Sequence, residues 1–407
     1  MKRPRIGLCD LNEHFSGLTR YCSSLLSNID FEEFDVCVYC RPNGPYLAKP
    51  GIHLIYQPTT STPENEFPFA GPKANRIRWK VAVRNIWRKW SPEALRLWVG
   101  FGRESFELAR TFRQRPVDLL HVQTVNCDEA VVGAWWARTP RILSTWHIDS
   151  TQSNRKEWIL ELLTHHCLDR AIAVSQATKT DWVKRCRVRP DRVTVIPNAV
   201  DPNRYKRQWS RIEARNHLGL AGENWLVLAG IGRLAIQKGF EYLLQAVAQL
   251  TGEYPRLHLV LAGDGPLRET LTKQASDLGI SEEVHFIGFC SDVQPVLDAA
   301  DIFVLPSLWE ALPYSLLEAM AASLPVVGTR VAGVPEVILH QVTGFLVPSQ
   351  DGHALAAALR PLLNSPELRS RMGHAARDRV VRHFNEKDTI QQTLRIYRDL
   401  LKDFRKA

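Results

Sequence analysis

Two doubly wound α/β domains, facing each other across a cleft, are what this sequence predicts, on three observations. The chain has 407 residues, more than one hydrophobic core usually spans, so two domains of roughly 200 residues are expected. Short apolar runs alternate with longer helical patterns throughout, which is the β-α-β rhythm of parallel sheets. That rhythm pauses once, at Val193-Thr-Val-Ile-Pro-Asn-Ala-Val-Asp-Pro, where two prolines, an Asn and an Asp mark a linker, and then it restarts.

The first series opens with a strand at Arg5-Ile-Gly-Leu-Cys and a helix from Ser16 to Ile29. Further strands are expected at Phe34 to Tyr39, His53 to Tyr56, Leu119 to Val122, Arg141 to Thr145 and Arg170 to Val174. The second series starts at Trp225-Leu-Val-Leu-Ala. It continues at Leu257 to Ala262, Val284 to Ile287, Ile302 to Leu305, Pro325 to Val327 and Gly344 to Val347. The expected domains are residues 1–203 and 204–385, with a helix over 386–407 packing back towards the first. Ligands of such sheets sit at the carboxyl ends of the strands, so the loops after strands hold the candidate chemistry.

From about Gln57 to Trp98 the rhythm breaks, in a Pro/Thr/Ser-rich loop followed by a basic, Trp-rich segment over 74–103. On a helix over Ala74 to Trp90, Trp79, Val83, Ile86, Trp87 and Trp90 share one stripe, and Arg76, Arg78, Lys80, Arg84, Arg88 and Lys89 take the other faces. Tryptophan on one side and cations on the other mark an interfacial helix. A helix packed on its own domain with a solvated basic face fits the same pattern.

Composition narrows the class. With 45% hydrophobic and 23% charged residues the chain reads as folded rather than disordered. A net charge of +9 favours anionic partners: phosphorylated substrates, an anionic membrane surface or nucleic acid. Cys37 and Cys40 lie three apart in an alternating strand, so they point to opposite faces, and no second pair completes a zinc set. Buried free thiols are expected, which suit a reducing compartment. No run of eighteen apolar residues exists and the N-terminus lacks a signal-peptide pattern, so a cytoplasmic protein, peripheral to a membrane at most, is expected.

Gly230-Ile-Gly-Arg-Leu-Ala-Ile-Gln-Lys-Gly follows a strand and precedes the helical pattern Phe240 to Leu250. Glycines there let backbone approach a phosphate, the helix N-terminus favours negative charge, and Arg233 and Lys238 add two cations. Gly230, Gly232 and Ala235 also fit a dinucleotide fingerprint, and a Gly-rich turn with surface cations fits as well. The second constellation is Leu305-Pro-Ser-Leu-Trp-Glu-Ala-Leu-Pro-Tyr-Ser-Leu-Leu-Glu-Ala-Met-Ala. Glu310 stands in a loop after a strand, Pro313 suits a helix start, and Glu318 lies on an otherwise apolar helix. A buried carboxylate must be paired or hydrogen-bonded. Sugar and ribose hydroxyls would serve, and so would a salt bridge. Ala262-Gly-Asp-Gly-Pro, Ala332-Gly-Val-Pro-Glu-Val-Ile and Thr343-Gly-Phe-Leu-Val complete the pattern.

Together these residues resemble the retaining glycosyltransferases of family four, the group with glycogen-synthase-like folds. The shared features are the Gly-Arg-Leu…Lys-Gly turn, the Gly-x-Gly-Pro loop and two Glu residues separated by seven. The resemblance implies two Rossmann-like domains in a B-type arrangement and a UDP- or GDP-sugar as donor substrate. It implies that Arg233 and Lys238 grip the donor diphosphate, that Glu310 acts on the donor sugar and that Glu318 holds the ribose. The backbone of Leu312, Pro313, Tyr314 and Ser315, with the amides that this stretch offers, would support sugar and phosphate, Gly17 would approach the diphosphate from the first domain, and His147 would stand near the reacting carbon. Asn198 and Asp201 match the family's interdomain hinge. Two departures stand out: Ala311 replaces a Gly, and Ser16-Gly17 replaces a pair of glycines.

The function expected from these features is hexosyl transfer to a glycan or lipid-linked acceptor with retention of configuration, needing no metal or other cofactor. Arg233, Lys238 and a helix N-terminus would stabilise the leaving diphosphate, and no Asp-x-Asp stands in a phosphate loop. Nucleic acid is not an expected partner. A nucleotide-sugar epimerase and a non-catalytic nucleotide-sugar-binding protein are the alternatives. A dehydrogenase leaves both glutamates unexplained.

Overall fold

The structure is a computed structural model, and it describes residues 3–11, 17–40, 52–56, 92–124, 128–147, 164–220 and 224–402. Of the basic segment, residues 74–91 lie outside the described residues and 92–103 open a long helix.

The first sheet holds seven parallel strands: β1 (Arg5–Asp10), β2 (Asp35–Cys40), β3 (Ile52–Tyr56), β4 (Leu119–Thr124), β5 (Arg141–Trp146), β6 (Arg170–Ala173) and β7 (Val193–Val195). Their order is β3-β2-β1-β4-β5-β6-β7. The described helices between them are α1 (Gly17–Asn28), α2 (Pro92–Gln114), α3 (Asp128–Trp136) and α4 (Gln176–Cys186). β7 corrects the sequence reading, which placed Val193 to Val195 in a linker. Its three residues pair with Ala171 to Ala173 of β6 before Pro197 ends the run. A strand this short gives too little alternation to detect.

The second sheet holds β8 (Leu226–Ile231), β9 (Leu257–Ala262), β10 (Val284–Gly288), β11 (Ile302–Leu305), β12 (Val326–Thr329) and β13 (Gly344–Val347), in the order β10-β9-β8-β11-β12-β13. Its helices are α5 (Arg211–His217), α6 (Phe240–Leu250), α7 (Arg268–Asp277), α8 (Gln294–Ala299), α9 (Tyr314–Ala321), α10 (Val334–Val337), α11 (Gly352–Asn364) and α12 (Pro366–His383). A last helix, α13 (Glu386–Leu400), follows. In each sheet the strand order reverses beside the first strand, between β1 and β4 and between β8 and β11. Such switch points open a crevice at the strands' carboxyl ends.

Each sheet is buried on both faces, as parallel sheets are. In the first, Ile6, Leu8, Val36, Val38 and Cys40 face one core, and Cys9, Cys37, Tyr39, Leu120 and Val122 face the other. Cys37 and Cys40 thus lie on opposite faces, and burial pushes both thiols up, Cys40 to about 11.

The chain crosses between the two sheets twice, side by side. Val200 donates to the Phe384 carbonyl at 3.1 Å, and Glu386 donates to the Val200 carbonyl at 3.1 Å. α13 then lies against the first sheet: Ile390, Leu394, Tyr397 and Leu400 share a core with Ile6, Leu8 and Leu25. Arg398 pairs with Glu33 at 2.7 Å. Among the described residues no helix is long and apolar enough to cross a membrane.

Candidate active site in the cleft

Three loops of the second sheet, those after β8, β9 and β11, press together at its carboxyl edge. Gly232 donates to the Ala262 carbonyl at 2.9 Å, Leu234 to Asp264 at 3.0 Å, and Leu308 to Gln237 at 2.8 Å. The Gln237 amide reaches the Trp309 carbonyl at 3.1 Å. Two glycines make this packing possible. At Gly263 (φ +141°) a Cβ would collide with the Gly232 carbonyl, and at Gly239 (φ +59°) with the Pro306 carbonyl. Gly239 also starts α6 in a left-handed conformation that suits Gly.

This stack brings together residues far apart in sequence. Lys238 forms an ion pair with Glu310 Oε1, and the same oxygen accepts from the Ser307 hydroxyl at 2.8 Å. Ser307 is itself fixed, because its carbonyl accepts from Thr329 Oγ1 at 2.5 Å. Glu310 is 6% exposed, so its charge is held in low dielectric and needs these partners. Arg233, on the same turn, is exposed. Pro313 stands at the start of α9, whose first turn takes no side-chain cap. The amides of Tyr314 and Ser315 thus form an uncapped, electropositive helix end. The Leu312 carbonyl accepts from Asn198 Nδ2 at 2.8 Å, tying the hinge to this loop. Ala311, where the family pattern has Gly, is not among the residues with positive φ, so the exchange costs the loop nothing in backbone strain.

Glu318, 2% exposed, has protein partners: it forms an ion pair with Arg20 of α1 and accepts from the Tyr205 hydroxyl at 3.3 Å. The Arg20 guanidinium lies over the rings of Tyr205 and Tyr314, about 6 Å from each. Here the salt-bridge alternative is the arrangement present, and a ribose must share or displace Arg20. Sequence reasoning missed Arg20, which lies on another domain and carries no local signal.

The N-terminal side contributes the next residue of α1. The Tyr21 ring meets His147 edge-on at 5.4 Å. His147 directly follows β5, and its Nε2 lies 2.9 Å from Gln123 Oε1. Burial holds its pKa down at about 3, so the ring is neutral near pH 7. Gly17 is the first residue of α1. Arg20 and Tyr21, consecutive on one helix, therefore link the Glu318 side of the cleft to the His147 side.

A second contact across the cleft also went unforeseen. Glu336, on α10, accepts from the backbone amides of Gln176 (2.9 Å) and Ala177 (2.7 Å) at the start of α4. Arg379 anchors α10 through the carbonyls of Glu336 and Val337, both at 2.7 Å. The Gly-Val-Pro-Glu run was visible in the sequence, but its partner helix was not. Among the described residues no group of three or more His, Cys, Asp or Glu side chains is placed to hold a metal ion.

Two parallel α/β sheets that meet across a cleft lined from both sides define the architecture, and comparison with known proteins places the chain in a family. Residues 15–204 match the family described as Glycosyltransferase Family 4, and residues 210–379 match Glycosyl transferases group 1. The chain belongs to this glycosyltransferase family, with one matching region on each side of the hinge. An uncharacterised glycosyltransferase of Methanocaldococcus jannaschii is 29% identical over 244 residues, 59% of this chain and 62% of that protein. The chain thus spans less than two thirds of that relative's length. The Escherichia coli UDP-Gal:alpha-D-GlcNAc-diphosphoundecaprenol alpha-1,3-galactosyltransferase is 25% identical over 306 residues, 72% of this chain and 78% of that one. The crystal structure of Anabaena HepE in complex with UDP and glucose superposes with a TM-score of 0.77 at 20% identity, covering 98% of this chain and 100% of that one. The fold is the two-domain, B-type glycosyltransferase arrangement.

Proposed function

We propose that the protein transfers a hexose from a UDP- or GDP-sugar to a glycan or lipid-linked acceptor, with retention of configuration and without a metal. One observation carries this reading: the buried Lys238–Glu310 pair stands in the same loop stack as an uncapped helix N-terminus and an exposed arginine. Cations and amide dipoles at one mouth suit a diphosphate, and a fixed carboxylate beside them suits sugar hydroxyls.

Each residue then has a task. Departure of the nucleotide leaves negative charge on the β-phosphate. Arg233, Lys238 and the amides of Tyr314 and Ser315 stabilise it as it grows, in a site already organised before reaction. Glu310, held by Lys238 and Ser307, accepts hydrogen bonds from the donor sugar. Glu318 receives the ribose in exchange for Arg20, and Gly17 lets backbone approach the diphosphate. His147, neutral, serves as a hydrogen-bonding group beside the reacting carbon. The leaving phosphate takes the acceptor's proton on the same face, which retains configuration.

Proton NMR of the transfer, run in excess EDTA, tests this. The product's anomeric coupling should match the donor's, and the rate should survive chelation. An inverted product, or activity lost and then restored by magnesium or manganese, overturns it.

The acceptor reading rests on a surface. Phe106, Trp135 and Trp136 are 56%, 57% and 38% exposed on the packed pair α2 and α3, beside exposed Arg103, Arg110, Arg113 and Arg138. Exposed aromatic rings among arginines suit an anionic lipid headgroup layer. The Escherichia coli relative is named for a lipid-linked acceptor, and a face of this kind suits docking on the membrane that holds such an acceptor.

A further inference from the structure

β4 and β5 carry buried polar side chains among mostly apolar neighbours. His121 and Gln123 alternate on one face of β4, Thr145 of β5 is in register with Gln123, and His147 follows directly after β5, two residues on. His121, Gln123 and Thr145 are all 0% exposed. Three buried polar groups in a row are costly unless every one is hydrogen-bonded.

They are bonded, in one continuous chain. His121 Nδ1 lies 2.7 Å from the Tyr397 hydroxyl of α13. His121 Nε2 lies 2.7 Å from Thr145 Oγ1 and 3.2 Å from Gln123 Nε2. Gln123 Oε1 lies 2.9 Å from His147 Nε2. An amide nitrogen only donates and an amide oxygen only accepts. Gln123 therefore donates to His121 Nε2, which puts the His121 proton on Nδ1, donating to Tyr397. Its other end accepts from His147, which puts that ring's proton on Nε2 and leaves Nδ1 as its acceptor. Both rings stay neutral, since burial holds each near pKa 3, so a single proton position is defined on each.

A second branch has a fixed direction too. Thr393 of α13 gives its proton to the Thr389 carbonyl at 3.0 Å. The Tyr21 hydroxyl, 2.9 Å from Thr393 Oγ1, is then the donor of that pair. Tyr21 is the residue whose ring edge meets His147. Both branches start on α13, which follows directly on the second crossing between the sheets.

We propose that Gln123, His121 and Tyr397 are positioning residues for His147. They hold it in the Nε2–H form with Nδ1 as the acceptor for a substrate hydroxyl, and they tie that form to the seating of α13. This rests on the reading of His147 as a residue of the reaction centre. The Gln123 amide is the coupling element. Turning it over would place the His147 proton on Nδ1 and the His121 proton on Nε2, so the two rings always hold opposite forms.

The test combines nitrogen-15 histidine NMR of the full chain with transfer kinetics for Gln123→Leu and Tyr397→Phe. In the wild type, His147 should be protonated on Nε2 and His121 on Nδ1. Gln123→Leu should give a mixture of His147 forms and lower kcat by about tenfold or more, with donor KM within about twofold, the signature of a lost transition-state contact. Tyr397→Phe keeps the ring and its packing. It should release the His121 proton position and lower kcat by a smaller factor, so it remains informative if Gln123→Leu misfolds. Wild-type His147 protonated on Nδ1 would overturn the proposal, as would unchanged spectra and kcat in a folded variant. His147→Ala separates the two readings. If that variant transfers at the wild-type rate, His147 has no part in the reaction, and the spectra alone still decide whether the relay sets its proton.

Discussion

At the scale of residues, the acids and cations proposed for the donor site stand out in the sequence because their spacing is local. Gly230 to Gly239 and Glu310 to Glu318 each sit in one loop-helix unit, and their chemistry is unusual for an apolar setting. What was not legible is which charge meets which. Lys238 rests on Glu310, and Glu318 rests on Arg20; both pairs join residues far apart in sequence, one of them from separate domains. This separates the two diphosphate cations. Lys238 and Glu310 are 14% and 7% exposed in their side chains, and removing one member of a buried pair strands the other at a cost of about 3–5 kcal/mol. Lys238→Ala should therefore lower both nucleoside diphosphate affinity and melting temperature. Arg233→Ala, an exposed side chain, should lower affinity alone. Calorimetry and thermal melts read the two effects separately, and unchanged affinity in both variants would move the phosphate site elsewhere.

At the scale of elements, Leu257–Ala262, Ile302–Leu305, Gly344–Val347 and Phe240–Leu250 fall where apolar periodicity puts them. Two strands of the first sheet were read short at their carboxyl ends. β4 runs on through Gln123 and Thr124 and β5 through Trp146, because hydrogen bonding within the sheet continues beyond the apolar run. Gln123, in the overlooked end of β4, joins His121 and Thr145 in the buried polar file proposed to position His147. The sequence did show it, as His121-Val-Gln123 and Thr145-Trp-His147, two polar alternations in adjacent strands. Glu336 is the other element-scale feature: a carboxylate on a four-residue helix that takes two amides at the N-terminus of α4, where negative charge is favoured. Glu336→Ala should cost closure about 1–2 kcal/mol, the scale of charge-assisted bonds at a partly exposed site. Small-angle scattering of the nucleotide-bound protein should show a larger radius of gyration in the variant, and donor KM should rise. Identical scattering curves would mean that Glu336 does not hold the two sheets together.

At the scale of the whole molecule, two sheets meet along paired crossings at Val200 and Phe384, and the cleft between them is lined from both sides by α1, α9 and α10. Length and rhythm announced this arrangement; the partner surfaces were outside their reach, because a basic, aromatic face fits either packing or lipid. The net charge of +9 and the exposed rings of Phe106, Trp135 and Trp136 favour lipid. Co-sedimentation with anionic liposomes should occur at low salt, weaken as salt rises, and fall in a folded Trp135→Ser, Trp136→Ser variant, since each nearby cation contributes about 1 kcal/mol. A wild type that ignores anionic liposomes at low salt would leave a soluble acceptor. The central claim is that this cleft binds a nucleotide sugar and that Glu310 acts on its sugar rather than on its nucleotide. It is tested most directly by comparing wild type with Glu310→Gln across a panel of UDP- and GDP-sugars, measuring nucleoside diphosphate affinity and transfer side by side. The account predicts at least one donor that the wild type turns over, with affinity for its nucleoside diphosphate kept in the variant and transfer reduced by more than about tenfold. Wild-type transfer by Glu310→Gln, or no nucleoside diphosphate binding by the wild type at all, would contradict it.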